Sequence, residues 1–578
     1  MKRFLKEHWI ALLLAVLTSV IVAAPQVYFR IEHRNDGVYQ GIELLPDSPR
    51  SALTREIMDG HPNLGNVYYK DGKDDPYLWQ PFQPMAVAYM GELFGLDINN
   101  TFLLSRIVLP FLAFMLIYGF ALLVSRDKLV ALSSAALLLL ADLLLSFAGL
   151  SGLLQGASPS TFIQIARPVN PVMTYIPLFA FLIAFWLWYT RQTKGWWFAS
   201  TVLLGATFYT YFYAWSYLYA FGGILVAILL IGREWRQALG LASVYLGGLV
   251  LAIPYGINLY RASLFPNYVE VSERFGVVAT HAPLFVGVLS VAALLIFLIG
   301  FPRNDRRVFF FGLALLVTPL LTMNQQIITG KIMQPDHYHW FFHKPIGIIF
   351  ILTTVFYLLS RWRLDFYKKA LAVGIVAASV LTGALAQASA YRNDPRDGGA
   401  IAIERQQYGP VMKWLSAHAE KEAVVFANNE ISHLTVIYTP QNVFYHRVVG
   451  NSLAATKERL LEVVSTFYRL RGVGASDARR IFFDERGYLS TNIYGIYYRE
   501  ALGSYEAIPD DKIAEALSFY TATLSVPTDE WLQSIFKKYE VEYLVWDKEA
   551  DPTWNLDRYA FLEKAAEFGT VAIYRFNP

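Results

Sequence analysis

Cysteine is absent from this chain of 578 residues, and charged residues are scarce, at 16% of the total. Without cysteine, the chain has no disulfide framework, no thiolate zinc site and no thiol nucleophile. The low charge stands beside a hydrophobic content of 55%, which excludes an ordinary soluble globular protein and indicates many membrane-spanning helices. The phosphate-binding patterns GxxxxGKS/T and GxGxxG are missing as well.

Apolar runs recur along the first 391 residues, and each approaches the roughly 20 residues that a helix needs to cross the hydrocarbon of a bilayer. The first has a longer apolar core than a secretory signal, so we interpret it as a retained anchor. Together the runs predict a polytopic α-helical membrane protein with about eleven spans. They are 9–29, 101–125, 129–150, 172–189, 196–212, 215–231, 238–260, 284–301, 308–323, 342–359 and 370–391.

The basic residues of the short connecting segments predict the orientation of the chain. The segments that alternate with the basic ones hold only Arg167, Arg261, Arg274, Lys331 and Lys344. We therefore expect a cytoplasmic N-terminus, an extracytoplasmic C-terminus and, from this layout, a bacterial inner membrane. The basic set is Lys2, Arg3, Lys6, Arg126, Lys128, Arg191, Lys194, Arg233, Arg236, Arg303, Arg306, Arg307, Arg361, Arg363, Lys368 and Lys369.

All of the predicted mass outside the membrane lies on the outer face. We predict a transmembrane catalytic module over residues 1–392, including the outer first loop 30–100, and an extracytoplasmic domain over residues 393–578. The latter reads as α/β, because strand patterns (AVVFA, NVFYH, EYLVW, VAIYRF) alternate with helical ones (GPVMKWLSAHAEK, KERLLEVVSTFYRL, EWLQSIFKKY). No inner segment has room for a nucleotide-binding domain, so any reaction takes place outside, where nucleotide sugars are not expected.

The first outer loop opens with EHRNDGVYQGIE (32–43), which places Asp36 just past the first span and Tyr39 three residues later. Further on, QPFQP begins an amphipathic pattern that ends at Gly95 and predicts a helix along the outer interface. In these features the chain resembles the GT-C superfamily of membrane glycosyltransferases. Such enzymes place a catalytic acid in the first outer loop, usually with a tyrosine soon after, followed by proline-containing interfacial helices and often an external C-terminal domain.

The resemblance implies a hexosyl- or pentosyltransferase that uses a polyprenyl-phosphate-linked sugar as donor. The acceptor would be a glycan, lipid or protein, the sugar would be transferred with inversion, and Asp36 would act as the base. Three features depart from the family pattern: Gly37 replaces a second acid, the second outer loop (151–173) has no acids, and a tryptophan–tryptophan–aspartate motif is absent. Protein N-glycosylation is therefore disfavoured.

A phosphate leaving group needs cations or hydrogen-bond donors around it. The outer candidates for the donor phosphate and sugar are Arg167, Arg274, Lys331, His337, Tyr39 and Gln326, and any of the basic ones can instead be an interfacial anchor. Several lie in NQQIITGKIMQPDHYHW (324–340), which is rich in polar and aromatic residues. Asp336, His337 and His339 also allow a divalent metal, the one cofactor that the sequence suggests.

Arg106 and Asp142, inside two successive spans, are expected to form a buried ion pair. The aromatic cluster YTYFYAWSYLY (209–219) is interpreted as an interfacial belt. Membrane lipids are expected partners and nucleic acid is not, because the basic residues lie in short clusters between apolar runs.

The main alternative function is a transporter or flippase for a lipid-linked glycan or another lipid. The sequence shows no inverted repeat of the kind common in transporters. A non-catalytic membrane scaffold or sensor is a third reading, but it leaves the polar outer loops unexplained.

Overall fold

The computed structural model describes residues 2–35, 41–42, 44, 49–284, 287–495 and 508–577. Helices dominate the part that precedes residue 394. In chain order they are α1 (Lys2–Glu32), α2 (Arg50–Met58), α3 (Phe82–Leu93), α4 (Ile98–Ser125), α5 (Lys128–Leu140), α6 (Phe147–Leu154), α7 (Val172–Arg191), α8 (Lys194–Thr207), α9 (Phe212–Ile231), α10 (Trp235–Leu251), α11 (Ile253–Ser263), α12 (Tyr268–Arg274), α13 (Val288–Gly300), α14 (Arg306–Thr322), α15 (Gln326–Thr329), α16 (Asp336–Tyr338), α17 (Lys344–Arg361) and α18 (Asp365–Asn393). Two short strands, β1 (Val277–Ala279) and β2 (Lys331–Met333), pair antiparallel.

Helices occupy each of the eleven predicted runs, and the prediction of a polytopic helical membrane protein is confirmed. Among the described residues, six helices are long and apolar enough to cross a membrane, or seven if the bent pair α10–α11 counts as one span. Long apolar segments fold this way because lipid offers the backbone no hydrogen-bond partner. The helices of the other four runs, α5, α8, α13 and α14, have only 13 to 17 residues. The run 129–150, for example, is broken after Leu140 by a 3₁₀ turn, Asp142–Leu145.

Helix α3 matches the amphipathic helix predicted in the first loop. It begins at Phe82 and ends at Leu93, and Gly95 follows with a φ of +62°. Tyr89 and Leu93 are 50% and 78% exposed, as apolar side chains of a helix on a lipid surface would be.

The C-terminal part is a mixed α/β domain, as predicted. Its five-stranded sheet has the order β4-β3-β5-β7-β6, in which β4, β3 and β5 are parallel and β7 is antiparallel to both of its neighbours. Four strands coincide with predicted ones, whereas the edge strand β6 was not predicted. The elements are α19 (Gly399–Gln406), α20 (Gly409–His418), β3 (Val424–Phe426), α21 (Asn429–Tyr438), β4 (Asn442–Val443), α22 (Lys457–Leu470), α23 (Ala475–Asp484), α24 (Arg486–Leu489), α25 (Asp510–Thr523), α26 (Thr528–Lys538), β5 (Val541–Asp547), β6 (Leu562–Phe568) and β7 (Val571–Phe576).

The first loop packs directly against this domain. The amide of Val443 in β4 donates to the carbonyl of Tyr68 at 2.8 Å. The Lys73 ammonium lies 2.7 Å from the Glu56 carboxylate and 2.8 Å from the Asn442 side-chain oxygen. Burial raises the pKa of Glu56, and the charge of Lys73 opposes that shift. The loop and the domain therefore form one body, called the outer body here because the charge bias predicts that it lies outside the membrane.

Candidate active site

His337 lies at the centre of an aromatic cluster at the ends of the helices nearest the outer body. Its Nδ1 is 2.6 Å from the hydroxyl oxygen of Tyr211, and the ring centroid of Tyr213 is 4.8 Å from that of the imidazole. The hydroxyl groups of Tyr338 and Ser216 are 2.7 Å apart. Part of the aromatic stretch 209–219, which the sequence reading assigned to an interfacial belt, thus packs against the segment predicted to form the site.

The first loop adds Arg50 to this cluster. Its guanidinium lies 5.7 Å from the centroid of the Trp79 ring, and its charge acts on the imidazole of His337. Trp79 packs against Phe275 at 5.2 Å, and the carbonyl of Phe275 accepts a hydrogen bond from the side chain of Gln334 at 2.8 Å. Residues far apart in the sequence therefore meet at one place, as a binding site requires.

Beside this cluster, Lys344 faces Asp142. Lys344 is only 4% exposed; its ammonium lies 4.1 Å from the ring centroid of Trp340 and 3.4 Å from the backbone oxygen of Asp142. Oδ2 of Asp142 accepts a long bond, 3.5 Å, from the amide of Gln164, and its Oδ1 is buried without a hydrogen-bond partner among the described residues. A buried oxygen left in this state requires an explanation, and a ligand is one.

The side chains around this pair leave about 10 Å³ between them, close to the room that one water molecule needs. Tyr175, Trp340 and Leu145 are among the residues that close it. A phosphate can therefore reach Lys344 only if one of these side chains moves.

The predicted ion pair between Arg106 and Asp142 is wrong. Arg106, which is 3% exposed, donates from Nε to the carbonyl of Ala166 at 2.7 Å and from Nη2 to the carbonyl of Leu44 at 2.9 Å. The prediction assumed one continuous helix through residue 142. Because α5 ends at Leu140, the acid leaves the expected helix face and turns toward Lys344 instead.

Arg106 also ties the first loop to this group. Leu44 donates its amide to the Gln26 side chain at 2.9 Å while its carbonyl accepts from Arg106. Arg106 binds the turn Gln164–Ala166, whose first residue hydrogen-bonds Asp142. The point where the first loop returns toward the helices is thus fixed next to the Asp142–Lys344 pair.

The predicted base Asp36 and the predicted sugar ligand Tyr39 lie outside the described residues. The residues on either side are described: α1 ends at Glu32, and the carbonyl of Gly41 accepts a hydrogen bond from the side chain of Asn99 at the start of α4.

Arg274 has a different role from the one predicted. The residue is 3% exposed, and its guanidinium donates to the carbonyls of Ile493, Gly450 and Ala455 at 3.1, 3.4 and 2.7 Å. It also lies 3.4 Å from the carboxylate of Glu270. Arg274 therefore links α12 to the C-terminal domain. Its N–H groups point at backbone carbonyls rather than at an open site.

The remaining candidates are divided between surface and interior. Arg167 is exposed directly after the turn that binds Asp142, and Lys331 is exposed on β2. Gln326 is fully buried; its nitrogen donates to the carbonyl of Ala282 at 2.9 Å, and its oxygen has no partner among the described residues. Of these three residues, only Arg167 lies near the Asp142–Lys344 pair, because it directly follows the turn that hydrogen-bonds Asp142.

Within the described part of the chain, no group of three or more His, Asp or Glu side chains is arranged to hold a metal ion. The set Asp336, His337 and His339, which allowed a divalent metal on sequence grounds, does not form such a group there.

Lys344, Gln164 and Arg50 were missed as site residues by the sequence reading. A signal existed for Lys344, which opens a long apolar run in which a lysine is costly. Gln164 and Arg50 stand in ordinary polar surroundings, and only the fold brings them to the site.

No protein-family model matches this chain, and no curated protein matches it significantly. Similar solved structures include ArnT from Cupriavidus metallidurans bound to undecaprenyl phosphate, at 13% identity and a TM-score of 0.44, covering 96% of this chain and 97% of that one. Another is the Archaeoglobus fulgidus oligosaccharyltransferase tethered to an acceptor peptide, at 13% identity and a TM-score of 0.47, covering 95% of this chain and 70% of that one. Both are weak likenesses of fold.

Proposed function

We propose that this chain is a membrane glycosyltransferase that transfers a hexosyl or pentosyl group from a polyprenyl-phosphate donor. The acceptor is a glycan, lipid or protein at the outer face of the membrane. Asp36 is the base, and the sugar is transferred with inversion.

One observation carries the proposal: Arg106 binds both the return of the first loop at Leu44 and the turn beside Asp142 and Lys344. Arg106 thereby links Leu44, in the same loop as Asp36, to a buried cation and the aromatic side chain of Trp340 beside it. A carboxylate for the acceptor, a cation for the phosphate and aromatic faces for the sugar are the groups that this reaction needs.

The reaction is a single displacement. The oxygen of the acceptor hydroxyl attacks the anomeric carbon, and the bond from that carbon to the phosphate oxygen breaks with its electron pair remaining on the phosphate. Asp36 takes the proton of the hydroxyl. Lys344, which makes only one long hydrogen bond among the described residues, keeps donors for the departing phosphate, and Arg167 and His337 are the further candidates.

The test is transfer by the purified chain in vesicles, from a labelled polyprenyl-phosphate sugar to a panel of acceptors. Asp36→Asn should lower the rate by about 10²-fold or more, which is the usual contribution of a general base. Glu92→Gln, which removes an exposed carboxylate from α3, is the matched control and should leave transfer unchanged. Transfer that survives Asp36→Asn at full rate refutes the role of Asp36.

The same vesicles separate this proposal from a flippase. A transferase changes the covalent structure of the donor and gives a product of inverted anomeric configuration. Movement of the intact donor between leaflets, without any transferred sugar, would instead identify a transporter.

A further inference from the structure

A second charged site lies at the opposite end of the helices, far from the C-terminal domain. The ends of α4, α7 and α17 and the connection between α13 and α14 enclose a cavity of about 990 Å³ there. Helix α18, 29 residues long, separates this level from the C-terminal domain. At about 1.5 Å per residue the two levels are roughly 40 Å apart, so this cavity is distinct from the candidate active site.

The cavity has polar walls. Thr190, Thr353 and Ser360 line it, together with apolar side chains such as Val130 and Val308. Thr353 belongs to the membrane-spanning helix α17 and is buried rather than exposed to lipid. A mixed lining of this kind suits a headgroup at the boundary between water and lipid.

The charge of the cavity is not balanced. Its two carboxylates are already paired: Asp305 with Arg126 at 3.0 Å, and Asp127 with Lys368. Asp305 also caps the backbone amides of Arg307 and Val308 at the start of α14.

Three arginines remain, in the stretch FPRNDRR (301–307) that forms the connection between α13 and α14 and the start of α14. Arg303, Arg306 and Arg307 line the cavity and are exposed, and none has a carboxylate within 4.0 Å among the described residues. Arg303 and Arg307 donate only to the carbonyls of Leu298 and Thr190, at 3.1 and 3.0 Å. An excess of positive charge therefore lies at the mouth of a preformed cavity.

We propose that this cavity binds a phosphate-bearing anion, the headgroup of an anionic phospholipid, at the face that the charge bias predicts to be cytoplasmic. Arginine forks bind phosphate oxygens in pairs, and basic pockets between helix ends at this face are suited to anionic headgroups. The inference does not depend on the transferase proposal, because it concerns the other end of the molecule.

The test measures lipid retained by the purified full-length chain, by native mass spectrometry, during titration with phosphatidylglycerol. Arg303→Gln with Arg306→Gln removes two charges and leaves the Arg307–Thr190 contact intact. The matched control, Arg236→Gln with Arg361→Gln, removes two exposed charges that do not line the cavity. The wild type and the control should bind equally, and the cavity variant should bind at least about tenfold more weakly, since each arginine near the surface contributes roughly fivefold.

Two further arms identify the source of the anion. Phosphatidylcholine with the same acyl chains has no net charge and should not compete. If inorganic phosphate displaces the lipid from the wild type and the control but not from the cavity variant, the result supports phosphate recognition. If inorganic phosphate alone binds the wild type as tightly as phosphatidylglycerol does, the free anion is the ligand. Equal affinity of the cavity variant and the wild type, or an equal loss in the control, overturns the proposal.

Discussion

The two ends of the helical bundle use basic residues in opposite ways. At the outer end, Arg106 and Arg274 are 3% exposed and donate to backbone carbonyls of distant segments. At the other end, Arg303, Arg306 and Arg307 are exposed on the connection between α13 and α14 and at the start of α14. The N–H groups of the buried arginines stabilise the fold, whereas the exposed arginines can bind solvent or a ligand.

This difference shows that a basic residue in an outer loop is not a phosphate ligand by default. Arg274 was predicted to be a phosphate ligand, but its guanidinium binds backbone carbonyls of the C-terminal domain. Lys344, which was counted only as a loop charge, has the burial and the free donors that a ligand role needs. Partners therefore decide the role, and they are visible only in the fold.

The largest expected effect is the loss of turnover when Lys344 is replaced. Lys344→Met removes the proposed phosphate ligand, and the turnover rate should fall by about 10²-fold, a typical loss for one group that stabilises charge in the transition state. The measurement is kcat for transfer, with thermal unfolding as the check on folding. Arg361→Gln, at the other end of the same helix, is the control and should keep its turnover; an equal loss there would break the comparison.

The next effect concerns stability. Arg274→Met leaves three backbone carbonyls without their donor and should lower the free energy of unfolding by about 3 kcal/mol, near one per orphaned group. Arg261→Met, an exposed arginine of α11, is the matched control. Equal unfolding midpoints for the two variants would contradict the fastening role of Arg274.

The outer body should also be sensitive to acid, through a histidine pair in the C-terminal domain. His446 lies 3.3 Å from His433 and stacks on Tyr68 of the first loop at 4.8 Å. Burial lowers the pKa of His433 to about 4 and that of His446 well below its usual value.

The unfolded chain takes up these protons near pH 6.5 and the folded chain does not. Stability is therefore complete above pH 6.5 and falls as the pH drops toward 4, by up to about 1.4 kcal/mol per pH unit for each histidine. Unfolding midpoints between pH 7 and 4.5 give the slope. The double variant His433→Asn, His446→Asn should flatten it, and an unchanged slope would assign the acid sensitivity to other groups.

The smallest effect is expected at Lys331. Its side chain is exposed on β2, so Lys331→Gln should change the free energy of unfolding by less than about 0.5 kcal/mol. A larger loss of unfolding free energy in a denaturation experiment would mean that the exposed Lys331 stabilises the fold as the buried arginines do.

The strongly periodic parts of the chain could be predicted from sequence. Each apolar run is largely helical, although the runs 129–150 and 238–260 are each divided between two helices. Strands such as β5 and β7 were visible because buried apolar residues follow one another there. The edge strand β6 was not, because LEKAAEF is mostly exposed and its charges hide the pattern.

The candidate site was harder to predict than the fold. The pairing of Arg106 with Asp142 failed because a break in α5 redirected one side chain. Gln164 and Arg50 carry no local signal at all, since their places depend on contacts between segments far apart in the sequence. The proposed role of Asp36 comes from the family resemblance, and it stays a prediction.

Sidedness is the central claim, and the absence of cysteine allows a direct measurement. Single-cysteine variants Asp36→Cys and Arg303→Cys can be exposed in intact cells to a maleimide that does not cross membranes. We predict that residue 36 is labelled at once and residue 303 only after permeabilisation. Labelling of residue 303 from outside, with residue 36 protected until the membrane is opened, would contradict the account.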